Sequence, residues 1–183
     1  MYETTEDLDK LQALIDRSFE KAGVHLRSIF RPPDYSLSAR QLSTFFRGKR
    51  QVALATVTAR GEPRVSPIDV LLVRGHFYFG TSIHAARIRH LRKRPAVSLA
   101  YFEADDVAIV VHGVAMLIEF EHPDFVTIDR EFMTIYGGTP STREEGSIYV
   151  RLEPTHVLTF ARHPEHFSEL KSDEEQEASR AKV

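Results

Sequence analysis

The twelve residues Val107–Ile118, VAIVVHGVAMLI, constrain this chain more than any other segment. They are rich in β-branched residues, only His112 is polar, and a glycine sits in the middle. Such a run fits a long strand with apolar side chains on both faces, buried on both sides and bent at a bulge where Gly113 interrupts it. A sheet that curls closed needs long strands bent in this way. A β-barrel is therefore the expected core of the fold.

The flanking sequence supplies the other strands. From Gln51 the chain reads VALATVT, a turn at Ala59-Arg60-Gly61-Glu62, PRVSPIDVLLV, a turn at Arg74-Gly75-His76, and FYFGT. Short β-branched and aromatic runs divided by glycine turns are the pattern of antiparallel hairpins, so three strands are expected here. A helix carrying Arg87, Arg89, Arg92, Lys93 and Arg94 follows, then AVSLAYF, an acidic turn at Glu103–Asp106 and the long run. Ile148–Leu152 and His156–Phe160 read as two closing strands. The sum is a mainly β fold of six to seven antiparallel strands with one basic helix inserted after the third.

Helical spacing marks the flanks. Leu8, Leu11, Leu14, Ile15 and Phe19 form one apolar stripe over residues 5–22, with Thr4 or Thr5 as the cap. Arg31-Pro32-Pro33-Asp34 breaks helical geometry and reads as a linker. Ser38–Phe46 resumes it with Leu42, Phe45 and Phe46. A further helix starts at His122-Pro123-Asp124 and runs to Tyr136, with Phe125, Ile128, Phe132 and Ile135 inward. The expected organisation is a helical extension over 1–48, a barrel domain over 49–166, and a tail over 167–183 too poor in apolar residues to pack.

At 183 residues with a formal charge of -2, the chain has room for one ordinary domain and no global attraction to nucleic acid or anionic lipid. It contains no cysteine, which excludes thiolate metal sites and a cysteine nucleophile. No stretch approaches the roughly 20 apolar residues of a membrane span, and the acidic start lacks a signal-type apolar run. A cytoplasmic protein acting on a small molecule, with neither a nucleic-acid nor a membrane partner, is the expectation. No Gly-x-Ser-x-Gly elbow, phosphate loop or Gly-x-Gly-x-x-Gly is present.

The strand ending in Thr81-Ser82 hands over at once to the basic helix. Hydroxyls and free N–H groups at a helix N-terminus, with Arg87 one turn in, suit a phosphate. The same residues also fit a plain cap at Ser82 with a solvated basic face. Strand alternation puts Arg64 and Ser66 on one face with Ile68, either lining a ligand cleft or facing water. His163-Pro-Glu-His166 raises a metal site, but the internal proline, the lack of cysteine and the position beside the tail argue against it, and no metal ligand is assigned.

The ordered series ALATVTARGEPRVSPID, FYFGTS, AARIRHLRKRPAVSLAYF and VAIVVHGVAML resembles the pyridoxamine 5'-phosphate oxidase-like family of FMN-binding split barrels. The resemblance covers residues 50–120 and, more loosely, Tyr149–Arg162. It implies a split β-barrel with FMN at a homodimer interface. The phosphate is then held by basic and hydroxyl residues of the third strand and the helix after it. Thr81 falls on the family's threonine, and Arg87 where many members carry the phosphate lysine. Ser66 and Ala86 fall where true pyridoxamine-phosphate oxidases carry basic residues, which weakens a vitamin-B6 substrate. The cofactor-binding set so implied is Arg64, Val65, Ser66, Pro67, Gly80, Thr81, Ser82 and Arg87. No catalytic side chain is assigned, because a flavin carries the hydride chemistry itself. His112 and Tyr78 border the ring or, more simply, are buried in the barrel wall.

Relatives of this barrel resemble binders of a deazaflavin coenzyme, whose phosphorylated tail would engage Arg64 and the Arg89–Arg94 cluster, and others resemble haem-handling proteins. A non-catalytic module binding a ligand or nucleic acid through the basic helix is the remaining alternative. Dimerisation has a physical motive as well: an open cleft wall would leave apolar surface from Val107 to Ile118 for a two-fold partner to cover.

Overall fold

One stretch of chain, Pro63–Val73, closes the barrel. In a computed structural model that describes residues 3–139 and 146–169, it forms β2 (Pro63–Asp69) and β3 (Leu71–Val73), separated only by Val70. With β1 (Gln51–Val57), β4 (His76–Ser82), β5 (Ala96–Glu103), β6 (Val107–Ile118) and β7 (Ser147–Ala161) they make one antiparallel sheet in the order β2-β1-β5-β6-β7-β4-β3. Consecutive in sequence, β2 and β3 stand at opposite edges, so the bend at Val70 joins the two ends. The Val70 carbonyl lies 3.0 Å from the Tyr136 hydroxyl, which also accepts from the Arg50 N–H at 3.0 Å.

Closure is incomplete. β3 pairs with β4 only as far as Leu71↔Tyr78, while β2 pairs with β1 throughout. Phe79–Ser82 therefore run on without a β3 partner, and β2 and β4 are not ladder neighbours. Between them the sheet splits, giving a split β-barrel flanked by helices.

Side-chain alternation sorts two cores. Leu54, Phe77, Phe79, Ile109 and Val150 fill the barrel interior. Leu11, Ile15 and Phe19 of α1 (Thr5–Lys21) and Leu42 and Phe45 of α3 (Ala39–Phe45) belong to the same cluster, so the helical extension shares the barrel's core. On the opposite face of β3, β4 and β7, α5 (Phe125–Tyr136) packs Phe125, Ile128 and Phe132 against Leu71, Tyr78 and Tyr149. Each such buried side chain contributes about 1.5–3 kcal/mol. α1 is capped by Thr4: the Asp7 N–H donates to Thr4 Oγ1 at 3.1 Å, and the Thr4 N–H donates to Asp7 Oδ2 at 2.9 Å. Such caps are worth about 1 kcal/mol. The short α2 (Val24–Ile29), outside the apolar stripe of α1, is not signalled in the sequence.

The structure corrects several expectations. Four strands precede the basic helix α4 (Ala86–Lys93), because PRVSPIDVLLV breaks at Val70. The two closing strands are one, β7, with the interruption absorbed by a bulge: His112 faces His156, Gly113 faces Pro154, and Thr155 is the extra residue. The long run β6 is not buried on both faces. Val107, Ile109 and Val111 point inward, but His112, Val114 and Met116 are exposed: among the described residues α5 covers the outer face only at its far end, where Ile118 is buried. Of the tail, Phe167 is partly buried against the main core, and residues 170–183 lie outside the described residues.

Candidate functional site

The expected cofactor residues lie on the two lips of the split. On β2, the register Thr56↔Arg64, Leu54↔Ser66 and Val52↔Ile68 puts Arg64 and Ser66 on the side of β1 that faces the barrel interior. Ile68 packs on the core and Ser66 is half-buried. Arg64 is held back at the surface: a terminal nitrogen lies 2.8 Å from Glu62 Oε2 and the other donates to the Pro63 carbonyl at 3.0 Å. Val65, 67% exposed, and Pro67 project from the opposite side of the sheet, so their side chains do not join Ser66.

On β4 the same alternation separates the two hydroxyls. Thr81 follows Phe77 and Phe79 on the interior side, whereas Gly80 and Ser82 follow Tyr78 toward the α5 side. The helix does not begin at once. Ile83–Ala85 intervene, the Ser82 hydroxyl accepts from the His84 N–H at 3.2 Å, and Ala85 is the N-cap of α4. Ser82 is therefore not the cap, and alanine has no side-chain oxygen to serve as one. The first N–H groups of α4 are left without a side-chain partner, an arrangement that favours an anion.

Arg87 is the second residue of that helix. It is half-buried, and burial pushes its guanidinium below the ordinary arginine value. Among the described residues it has no hydrogen bond or ion pair. A partly desolvated cation without a counter-charge is costly unless something anionic meets it. Ala86 beside it is exposed and adds no charge.

Two features escape the sequence reading. Thr56, only 3% exposed, places Oγ1 3.0 Å from His90 Nδ1, tying the interior of β1 to α4. Its one signal is that it alternates with Val52 and Leu54. The second is a cleft of about 540 Å³ between the β1–β2 turn and α4, lined by Arg60, Glu62, Arg89, Arg92 and Lys93. The Arg94 guanidinium crosses there to the Ala59 carbonyl at 3.1 Å.

The two side chains considered for the ring or the barrel wall part company. Tyr78 is buried beneath α5, where burial pushes its hydroxyl up to about 12. His112 is not buried in the wall. It lies exposed on the uncovered outer face, with Nδ1 2.7 Å from the Ser98 hydroxyl.

A sheet split between β2 and β4, with a basic helix entering from one lip, defines the class of split-barrel proteins. Residues 38–163 match the family model described as pyridoxamine 5'-phosphate oxidase, and the chain belongs to that family. A comparison with curated proteins found no match. Among solved structures, conserved hypothetical protein Rv2991 from Mycobacterium tuberculosis aligns with a TM-score of 0.62 at 16% identity, covering 76% of this chain and 94% of that one. A FAD-binding protein from Mesorhizobium loti aligns at 0.55 and 19%, covering 68% and 93%. The heme storage protein HutZ from Vibrio cholerae aligns at 0.53 and 21%, covering 64% and 92%. At these identities the likeness concerns the fold. No helix among the described residues is long and apolar enough to cross a membrane.

Proposed function

We propose that this chain is an FMN-binding flavoprotein oxidoreductase, a cytoplasmic homodimer acting on a small molecule. The observation that carries the reading is Arg87: a half-buried guanidinium that has no counter-charge among the described residues, in the first turn of the uncapped helix that follows β4. These groups fit a phosphate ester. Arg87 would offer its planar fork, the first N–H groups of α4 would point at the oxygens, and the Thr81 hydroxyl would add a donor, with Ser82 acting through the 82–84 turn that it holds rather than on the phosphate itself. Ser66 and Arg64 on the opposite lip would meet the remainder of the cofactor, beside the strand edges of Val65, Pro67 and Gly80. When bound, FMN supplies hydride or electron transfer. The chain's own part is to fix its position and limit water at the split.

The uncovered outer face supports the dimer. Val65, Phe102, Val114 and Met116 are 44–70% exposed on β2, β5 and β6, which is an apolar face for a second copy to cover.

One observation favours a second reading. The cleft beside α4 adds Arg60, Arg89, Arg92 and Lys93 next to the phosphate seat, which suits the longer anionic tail of a deazaflavin coenzyme. The test is an absorbance spectrum of the protein as purified, followed by parallel titrations with FMN and the deazaflavin coenzyme. A flavin band near about 450 nm and saturable FMN binding support the proposal. A haem Soret band, or binding of the deazaflavin alone, would replace it.

A further inference from the structure

Away from the split, β7 leads into a 3-10 turn, Pro164–His166, and here three metal-binding side chains converge. A 3-10 turn has three residues per turn, so side chains at i and i+3 eclipse. His163 is the N-cap of this turn and His166 its last residue, three positions on, and their ring centroids stand 5.0 Å apart with planes 23° from parallel. Glu165 lies between them: one carboxylate oxygen is 3.1 Å from His163 Nδ1 and 4.0 Å from His166 Nε2. All three donor atoms lie within 4.8 Å of one another. Two donors on one tetrahedral zinc ion, with bonds of about 2.0 Å, stand about 3.3 Å apart. Small side-chain rotations at the surface close the remaining gap.

The turn is also held in place. Its N–H groups close it, His166 to the His163 carbonyl at 3.1 Å and Phe167 to the Pro164 carbonyl at 3.0 Å. The Gln41 amide donates to the Pro164 carbonyl at 2.8 Å, and the Phe167 ring lies 5.9 Å from that of Phe45. Pro164, which counts against a metal site when only spacing is considered, fixes φ at the first position of the turn and removes an N–H that would have no partner there.

We propose that His163, Glu165 and His166 form a three-donor site for a divalent first-row transition metal ion, zinc in the first instance. Two imidazoles and one carboxylate are the donors zinc takes in open sites, leaving a position for water. Bound metal would stiffen the turn that Gln41 of α3 already holds through the Pro164 carbonyl. This is independent of the flavin seat, since none of these residues lies near the split.

Zinc chloride titrated into the full chain by calorimetry tests the site. One zinc per chain and a rise in Tm with added zinc are expected, because an ion that binds only the folded form stabilises it. His163→Ala and His166→Ala should each weaken binding at least tenfold, and the three side chains are exposed enough for both variants to fold. The pair His112→Ala/His156→Ala, whose rings are 6.4 Å apart on the outer face, should leave the titration unchanged. Zinc binding retained in the His163/His166 double variant, its loss in the His112/His156 pair, or no saturable heat in the wild type would overturn the proposal.

Discussion

Thr56 Oγ1 stands 3.0 Å from His90 Nδ1, and this is the polar tie between the barrel interior and the helix that carries Arg87. Thr56→Val keeps the shape and the strand preference but leaves the imidazole nitrogen without its partner. The expected loss is about 1–3 kcal/mol of stability, read from the urea midpoint, together with weaker FMN binding as α4 loosens. An unchanged midpoint would mean that the contact does not hold the helix.

Gly113 faces the β7 backbone at the bulge so closely that an added Cβ would collide with the Glu153 carbonyl and sit 2.7 Å from Leu152 Cδ2. The backbone cannot swing aside as a flexible side chain would. Gly113→Ala should therefore cost about 3 kcal/mol or more, measured by thermal or chemical denaturation. A loss under about 0.5 kcal/mol would show that β6 and β7 are spaced more widely there.

Much of this was legible in the sequence. Alternation and glycine turns locate the strand regions, but they miss the break at Val70, where no glycine marks a turn, and they split β7 in two at Glu153–Thr155, where the chain runs on through a bulge. Gly113 reads correctly as a bulge. The extra residue, however, is Thr155 on the partner strand, and single-strand patterning cannot show it. The outer face of β6 misleads, because apolar side chains look the same whether a helix or a second copy covers them. At the site, Arg87 is visible as a basic residue after a strand. Its burial, and its lack of a partner among the described residues, are tertiary facts. So is the separation of Thr81 from Ser82, which their adjacency suggested would act together.

The pH dependence of stability should report His76. Its Nδ1 lies 2.9 Å from Glu153 Oε2, while the other Glu153 oxygen is 2.7 Å from Arg151. Burial holds His76 below the ordinary histidine value. Glu153, Asp7 and Asp124 oppose that shift, and the Arg151 charge adds to it. The unfolded chain thus takes up the proton first, near about pH 6.5. Stability from this group is full above that pH and falls as the pH drops toward the lower folded value. His76→Gln should flatten the wild-type decline between about pH 7 and 5 in denaturant midpoints. An identical decline in the variant would assign it to other groups.

The outer sheet face predicts the oligomeric state. Light scattering should give about twice the 20.9 kDa chain mass. Val114→Asp, at a position 45% exposed in the protomer, should shift the protein toward monomer without unfolding it, as circular dichroism would show. A wild-type monomer would remove the dimer from the account.

The central claim rests on Arg87 as the anchor of a phosphorylated flavin, and fluorescence titration of FMN into wild type and Arg87→Ala tests it most directly. A charged hydrogen bond to phosphate is worth about 1.5–3 kcal/mol, so the variant should bind about 10- to 150-fold more weakly with its fold intact. Equal FMN affinity in the two proteins, or no FMN binding by the wild type, would contradict the account.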